Sequence, residues 1–547
     1  MAENYPWNFG DILDHVEQVV PVDRLALIHG SDNLDWGEFS RRSNNLAQHL
    51  LDLGAQPGDK IAYYMRNCLE YSIALSAGFK ARLTHVNLNF RYVSREVAYL
   101  LNNSDATVLV YSSEFAGIVQ SIKSELSDLK ILVEVGDATP DQAVPGAHRF
   151  TDLAADGDGK PLDIRRRGDD LFFIYTGGTT GMPKGVMWRH QDFWSAIGAG
   201  GSSRTGLPRC KSIDEHLDRI RSSNRQVHLP LPPLMHGTGL VSAFQAMTHG
   251  GTCVTLPGKS FDPEEALQAV TNHGVNALTI VGDAFGRPLL ECLDADTEGR
   301  FNLSTIDYIS SSGVMWSKEV KEGLLKHNNS MVLVDTFSSS EAIGLGSSVM
   351  TSGRSVEVAR FSLGPRCKVF DEDDCEIEAG SGRIGLVAVG GYLPLGYYKD
   401  EEKTRKTFRE IDGVRYSVPG DWVLVEDDGS LTLKGRGSGC INTAGEKVFP
   451  EEVEEVIKQH SDVTDALVVG LPDERWGQSI VAVVELIEDA VGTEELRAFC
   501  KQSLAGYKVP KHIVVTDSLN RAPNGKPDYD YVRSLALANW QPVLPSS

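Results

Sequence analysis

No run of this 547-residue sequence stays apolar over the roughly 18 residues that a membrane-spanning helix needs. The opening stretch, MAENYPWNFGDILDH, lacks both the basic patch and the apolar centre of a secretory signal, so a cytoplasmic location is the expectation. The eight cysteines (Cys68, Cys210, Cys253, Cys292, Cys367, Cys375, Cys440, Cys500) form no CxxC pair and no His/Cys cluster at zinc spacing. That argues against a disulfide scaffold or a zinc module and leaves reduced, mostly buried thiols. Positive charge is also short: 53 Lys and Arg stand against 75 Asp and Glu, a net charge of −22. A general nucleic-acid or anionic-membrane binder needs the opposite field. Any polyanionic ligand must therefore be met by local cations and backbone dipoles. Internal repeats and low-complexity segments are missing as well.

What is present is ordinary for a large globular chain, with 41% apolar and 23% charged residues. Its length implies about two to four structural units. Helical and strand patterns alternate through the first 440 residues, which predicts an α/β fold. Residues 36–54 have apolar positions three and four apart and stop at Gly54, a helix with its terminator, and KIAYYM (60–65) follows as a strand. Stretches 107–111, 130–135, 252–256 and 277–282 repeat the strand pattern. Residues 423–439 read as a hairpin turning at Asp428-Gly429, followed by a Gly/Ser-rich joint. Beyond it, a helix opening on Pro450 and two further strands make a small α/β domain. The charged stretch 204–225 reads as a surface insertion or lid.

The chemistry concentrates in a few loops. YTGGTTGMPKGVMW (175–188) holds four glycines, three threonines and one lysine directly after the apolar run LFFIY. Converging backbone N–H groups, the hydroxyls of Thr176, Thr179 and Thr180 and the charge of Lys184 suit phosphate, although the spacing is not that of the P-loop. Read alone, the same composition also fits a mobile surface loop. DTFSSSEAIG (335–344) sets Glu341 at the end of a hydroxyl-rich turn, either a ligand-binding carboxylate or an acid capping a helix. Asp421 in VPGDW, Arg436 in a glycine-rich loop and Lys526 in RAPNGKPDY complete the set.

Taken in this order, these stretches resemble the adenylate-forming superfamily of acyl-CoA synthetases, firefly-type luciferases and peptide-synthetase adenylation domains. The resemblance runs from the helix at Trp36 to Lys526. It implies a large N-terminal domain (1–437) with mostly doubly wound sheets and a small mobile domain (438–547) that turns about Ser438. It further implies ATP-binding roles for Thr176, Gly177, Gly178, Thr179, Thr180, Gly181, Lys184, Ser312, Gly313, Phe337, Ser338, Ser340, Asp421 and Arg436, with Glu341 on Mg²⁺. Lys526 would stabilise the charge of adenylate formation, and Gly445 would sit on the loop that serves thioester formation. His236, in PPLMHGTG, would lie beside the acyl and thiol tunnel, or else be a satisfied core histidine. Here Phe337-Ser338-Ser339-Ser340-Glu341 replaces the family's usual Tyr-Gly-x-Thr-Glu, keeping a ring and a hydroxyl at the matching places.

Stretches 185–192, 87–93, 281–290 and 441–454 look like the branch that holds actinobacterial ligases for steroid side-chain acids and general fatty acyl-CoA synthetases. The expected activity is ATP-dependent ligation of a bulky apolar carboxylic acid to coenzyme A through an acyl-AMP. An ordinary fatty-acyl-CoA synthetase, an adenylation enzyme that loads a separate carrier protein, and a binder without turnover are the alternatives. The expected partners are small molecules, with a homodimer left open.

Overall fold

The computed structural model describes residues 7–136, 143–176, 182–201, 207–314, 316–354, 359–436, 439, 441–443, 446–473, 477–487, 491–504, 506–523 and 525–539. The chain groups into two compact units, Met1–Val358 with Val389–Ser417, and Ala359–Ala388 with Val418–Ser547.

The first unit is built on two sheets. In one, the strands run in the order Gly396–Tyr397, Lys184–Arg189, Leu171–Thr176, Thr84–Asn87, Lys60–Tyr64, Ala106–Ser112, Ile131–Val135 and His148–Arg149. The last six are mutually parallel, while Leu171–Thr176 and Lys184–Arg189 form an antiparallel hairpin. In the other, Leu25–His29, Thr252–Thr255, Val227–Pro230, Ala277–Ile280, Tyr308–Ser312 and Val332–Phe337 are parallel, with antiparallel strands Asp32–Asp35 and Gly346–Met350 at either end. The α/β expectation holds, and both sheets prove mixed rather than purely doubly wound. Strands such as Lys60–Tyr64 read as unbroken apolar runs because helices cover both of their faces.

Helices Phe9–Glu17, Trp36–Asp52, Leu69–Lys80 and Gly237–Thr248 fill the layer shared by both sheets, where Ile61 and Phe172 of one meet a core that includes Leu27 and Cys253 of the other. Ser94–Ser104 and Ala116–Ile122 cover the outer face of the first sheet, and Pro263–His273, Asp283–Ala295 and Lys318–His327 that of the second. Helix Phe9–Glu17 is the wedge at the centre. Its Phe9 ring stacks on His190 at 4.0 Å, and its acids face two buried cations. Lys80 Nζ donates to Glu17 Oε1 at 2.7 Å, and Arg166 Nη1 donates to Asp14 Oδ2 at 2.7 Å. Charges buried this deeply persist only when paired and hydrogen-bonded.

The stretch 204–225 behaves differently from a surface insertion or lid. Within it, helix Ile213–Ser222 buries Ile213, His216, Leu217 and Ile220 while its charged residues face outward. An amphipathic face concealed by the charge count accounts for the difference.

The second unit contains the strands Arg360–Leu363, Ser430–Arg436 and Asp421–Val425, the last paired with the start of Ile384–Gly390. The expected turn at Asp428-Gly429 joins two of them, with Gly429 at φ +77°. A five-stranded sheet follows, centred on the long antiparallel pair Val463–Asp473 and Gly477–Leu486 and flanked by helices Pro450–Lys458, Thr493–Ser503 and Tyr529–Ala538.

Candidate active site

Sheet topology places the loops before it places the side chains. In the second sheet of the first unit, Val227–Pro230 has the next strand in sequence, Thr252–Thr255, on one side and Ala277–Ile280 on the other. Strand order reverses at that point, and the crevice beyond the carboxyl end of such a strand is the usual ligand site of an open α/β sheet. His236 lies there, half-buried, just before helix Gly237–Thr248, with its carbonyl accepting from Leu240 N at 2.9 Å. Ser312 and Phe337 end neighbouring strands at the same carboxyl edge, Ser312 paired with Thr336. Gly313 continues at φ +97°, a conformation that favours glycine.

The phosphate-loop candidate is the turn of the hairpin. Thr176 and Lys184 are cross-strand partners at its mouth, while Gly177, Gly178, Thr179, Thr180 and Gly181 lie outside the described residues. Lys184 is ion-paired with Asp400. The hydrogen bond from Lys184, then the N–H of Lys403, hold the Asp400 carboxyl below the usual carboxylate range. Buried Asn87 ties this hairpin to the His236 loop: its Oδ1 accepts from Tyr175 N at 2.8 Å, and its Nδ2 donates to Tyr175 O at 2.9 Å and Met235 O at 2.8 Å.

No helix begins at Glu341, so the capping alternative falls. Residues 338–344 form an irregular loop closed by Gly344 N donating to Ser338 Oγ at 3.0 Å. Three neighbours hold it. Trp188 Nε1 donates to Ser340 O at 2.9 Å, Ser417 Oγ to Glu341 O at 2.7 Å, and Tyr397 O–H to Glu341 Oε1 at 2.7 Å. The half-buried carboxylate keeps acceptor capacity beside that phenol, as a hard oxygen donor for a divalent cation requires.

Within the second unit, Asp421 and Arg436 are also cross-strand partners, and Asp421 is buried behind Gly420 at φ +98°. Lys526 is exposed on a turn whose backbone closes through Ala522 N to Lys526 O at 2.9 Å. Arg521 braces that turn, reaching Gly525 O at 3.1 Å and Asp465 Oδ1 at 2.8 Å. Ser438 and Gly445 lie outside the described residues. Asn87, Trp188, Tyr397, Asp400 and Ser417 are residues that sequence reasoning missed. For Tyr397 and Asp400 the available signal was the stretch GYYKD (396–400), with two tyrosines and an acid ahead of a short helix.

The AMP-binding enzyme family profile matches residues 13–398, and that of the AMP-binding enzyme C-terminal domain matches residues 452–526. The chain belongs to the AMP-binding enzyme family. The adenylate-forming membership expected from the ordered motifs is thus borne out. This AMP-binding enzyme is 40% identical over 536 residues, 96% of each chain, to a medium/long-chain-fatty-acid–CoA/3-oxocholest-4-en-26-oate–CoA ligase of Mycolicibacterium smegmatis. It is 38% identical to a 3-oxocholest-4-en-26-oate–CoA ligase of Rhodococcus rhodochrous, over 96% of this chain and 95% of the relative. Its fold matches that of an anthranilate CoA ligase solved with anthranoyl-AMP, with a TM-score of 0.82 at 20% identity over 97% and 98% of the two chains. Among the described residues, no helix is long and apolar enough to cross a membrane.

Proposed function

We propose that this enzyme joins a bulky apolar carboxylic acid, a steroid side-chain acid or a medium- to long-chain fatty acid, to coenzyme A at the expense of ATP. The observation that carries the reading is that the strand bearing Lys184 also bears Trp188, which holds the backbone of the Glu341 loop, while Tyr397 on the neighbouring strand holds the Glu341 carboxylate. It is supported by a chain-long likeness to ligases named for both kinds of acid. In the first step a carboxylate oxygen attacks the α-phosphorus, the bond to the β-bridging oxygen breaks, and pyrophosphate leaves the acyl-AMP. In the second the thiol sulfur of coenzyme A attacks the acyl carbon and AMP departs, the thiol losing its proton.

In this reading Thr176, Lys184 and the turn between them take the β- and γ-phosphates, so that the leaving group departs without uncompensated charge. Phe337 offers a ring face to adenine, Ser312, Gly313, Ser338 and Ser340 line the nucleotide, Asp421 accepts the ribose hydroxyls, and Arg436 lies by ribose and phosphate. Lys526 neutralises the charge that gathers as the carboxylate attacks. His236 flanks the acyl and thiol path. Mg²⁺ fits Glu341, since one half-buried carboxylate with spare acceptors suits a cation that shares its coordination with phosphate oxygens. Bound there, it supplies positive charge opposite those oxygens. Residues 438–547 turn about Ser438 between the two steps, bringing Gly445 into place for the second.

The test is pyrophosphate release from ATP and Mg²⁺ over acids running from acetate through long-chain fatty acids to cholestenoic acids, with and without coenzyme A. Turnover that needs coenzyme A together with a steroid or long-chain acid is expected. Adenylate formation with no gain from coenzyme A would assign a carrier protein as acceptor instead.

A further inference from the structure

Segment 396–400 makes a pattern of contacts that its sequence does not announce. Gly396 and Tyr397 pair with Met187 and Val186 as an added edge strand on the phosphate hairpin. Leu395 N donates to Met187 O at 2.7 Å and Tyr398 N to Gly185 O at 2.8 Å, so the segment is in register with the strand that carries Lys184. Thr404 locks it from behind: Tyr397 N donates to Thr404 Oγ1 at 2.9 Å, and that hydroxyl donates to Asp400 O at 2.7 Å. Gly396 is required by this closeness, since a Cβ there would meet Thr404 Cγ2 at 2.5 Å. From that fixed base the segment reaches two charged groups by their functional ends: Asp400 grips the ammonium of Lys184, and Tyr397 the carboxylate of Glu341.

We propose that Tyr397 is a positioning residue for the metal carboxylate: its phenol occupies Oε1 of Glu341 and leaves the rest of that carboxylate aimed at the divalent cation that accompanies ATP. This rests on the reading of Glu341 given above. A merely structural tyrosine could have spent its hydroxyl on a backbone carbonyl, as Tyr64 does with Tyr92 O at 2.8 Å. Tyr397 is instead buried at 4% exposure with its hydroxyl on an acid 56 residues away, inside a loop already held by Trp188 and Ser417. The backbone of Glu341 is therefore fixed without Tyr397, and what the phenol adds is the orientation of the carboxylate. Outer partners of this kind change metal affinity by about ten- to a hundredfold when removed.

Calorimetric titration of ATP into the full chain, first with EDTA and then at graded MgCl₂, separates the possibilities in wild type, Tyr397→Phe and Glu341→Gln. The phenylalanine keeps the ring that packs on Phe408 at 5.9 Å, and unchanged melting verifies that it does. Expected is equal binding of metal-free ATP by all three proteins. The Mg²⁺ concentration for half-maximal tightening should rise about tenfold in Tyr397→Phe, and the tightening should be absent in Glu341→Gln. Saturating Mg²⁺ should restore adenylation to Tyr397→Phe and not to Glu341→Gln. A Mg²⁺ dependence in Tyr397→Phe equal to wild type, beside a lost one in Glu341→Gln, overturns the role of Tyr397 alone. A wild-type dependence in Glu341→Gln removes the carboxylate from the metal, and the reading beneath this inference goes with it.

Discussion

Lys526 stands exposed on a turn that Arg521 braces through Gly525 O and Asp465. Replacing it with alanine removes charge from the adenylation step while leaving the phosphate turn, Phe337 and Asp421 untouched. Lys526→Ala is expected to slow single-turnover acyl-AMP formation by about a hundred- to a thousandfold, the usual effect of losing one stabilising donor, with ATP affinity by calorimetry near wild type. Adenylation at the wild-type rate would take the lysine out of the chemistry. Candidates of this kind come from short motifs that match the family's in order, and composition alone assigns none of them a role. Their supports are not legible in this way. Tyr397 meets Glu341 across 56 residues and Lys184 meets Asp400 across 216, and the identity of such partners depends on which strands lie side by side.

Elements show the same division. The strand beginning at Lys60, the helix from Trp36 to Asp52 and the hairpin at Asp428-Gly429 were readable because apolar period and turn chemistry are local. That the glycine/threonine loop is the turn of a hairpin was not, since Lys184–Arg189 earns its place only by pairing with Leu171–Thr176. Nor could the sequence show that the loop at Glu341 starts no helix. Asn87 joins two of these elements, and its substitution tests how far they act together. Asn87→Ala strands the N–H and C=O of Tyr175 in the interior, at a cost of about 2–3 kcal/mol for buried groups left without partners. Expected are a lowered melting temperature and, at temperatures where the variant is folded, a raised KM for ATP and for the acid together. A change in only one of the two would show that the hairpin and the His236 loop keep their places independently.

On the scale of the whole molecule, buried histidines set the response to acid. Burial pulls His85, His190 and His216 down to about 4 and His228 to about 3 from an ordinary 6.5. Between pH 6.5 and about 4 the unfolded chain binds protons that the folded chain refuses, so stability is lost as pH falls through that window. Each histidine contributes at most about 1.4 kcal/mol per pH unit. Glu17, Asp192, Asp335, Glu454 and Glu485, raised by burial, act in the opposite direction and offset part of this loss. Urea midpoints should drop steeply from pH 7 to pH 5, and a flat midpoint would contradict the neutral, buried state of these rings. One of the four, His190, is the ring on which Phe9 lies, at the head of the central helical wedge. That placement has a corollary for truncation. Cutting the chain after this helix would spare every motif proposed to bind nucleotide, yet leave the two sheets without the piece on which they close, so no working short form is expected from such a cut.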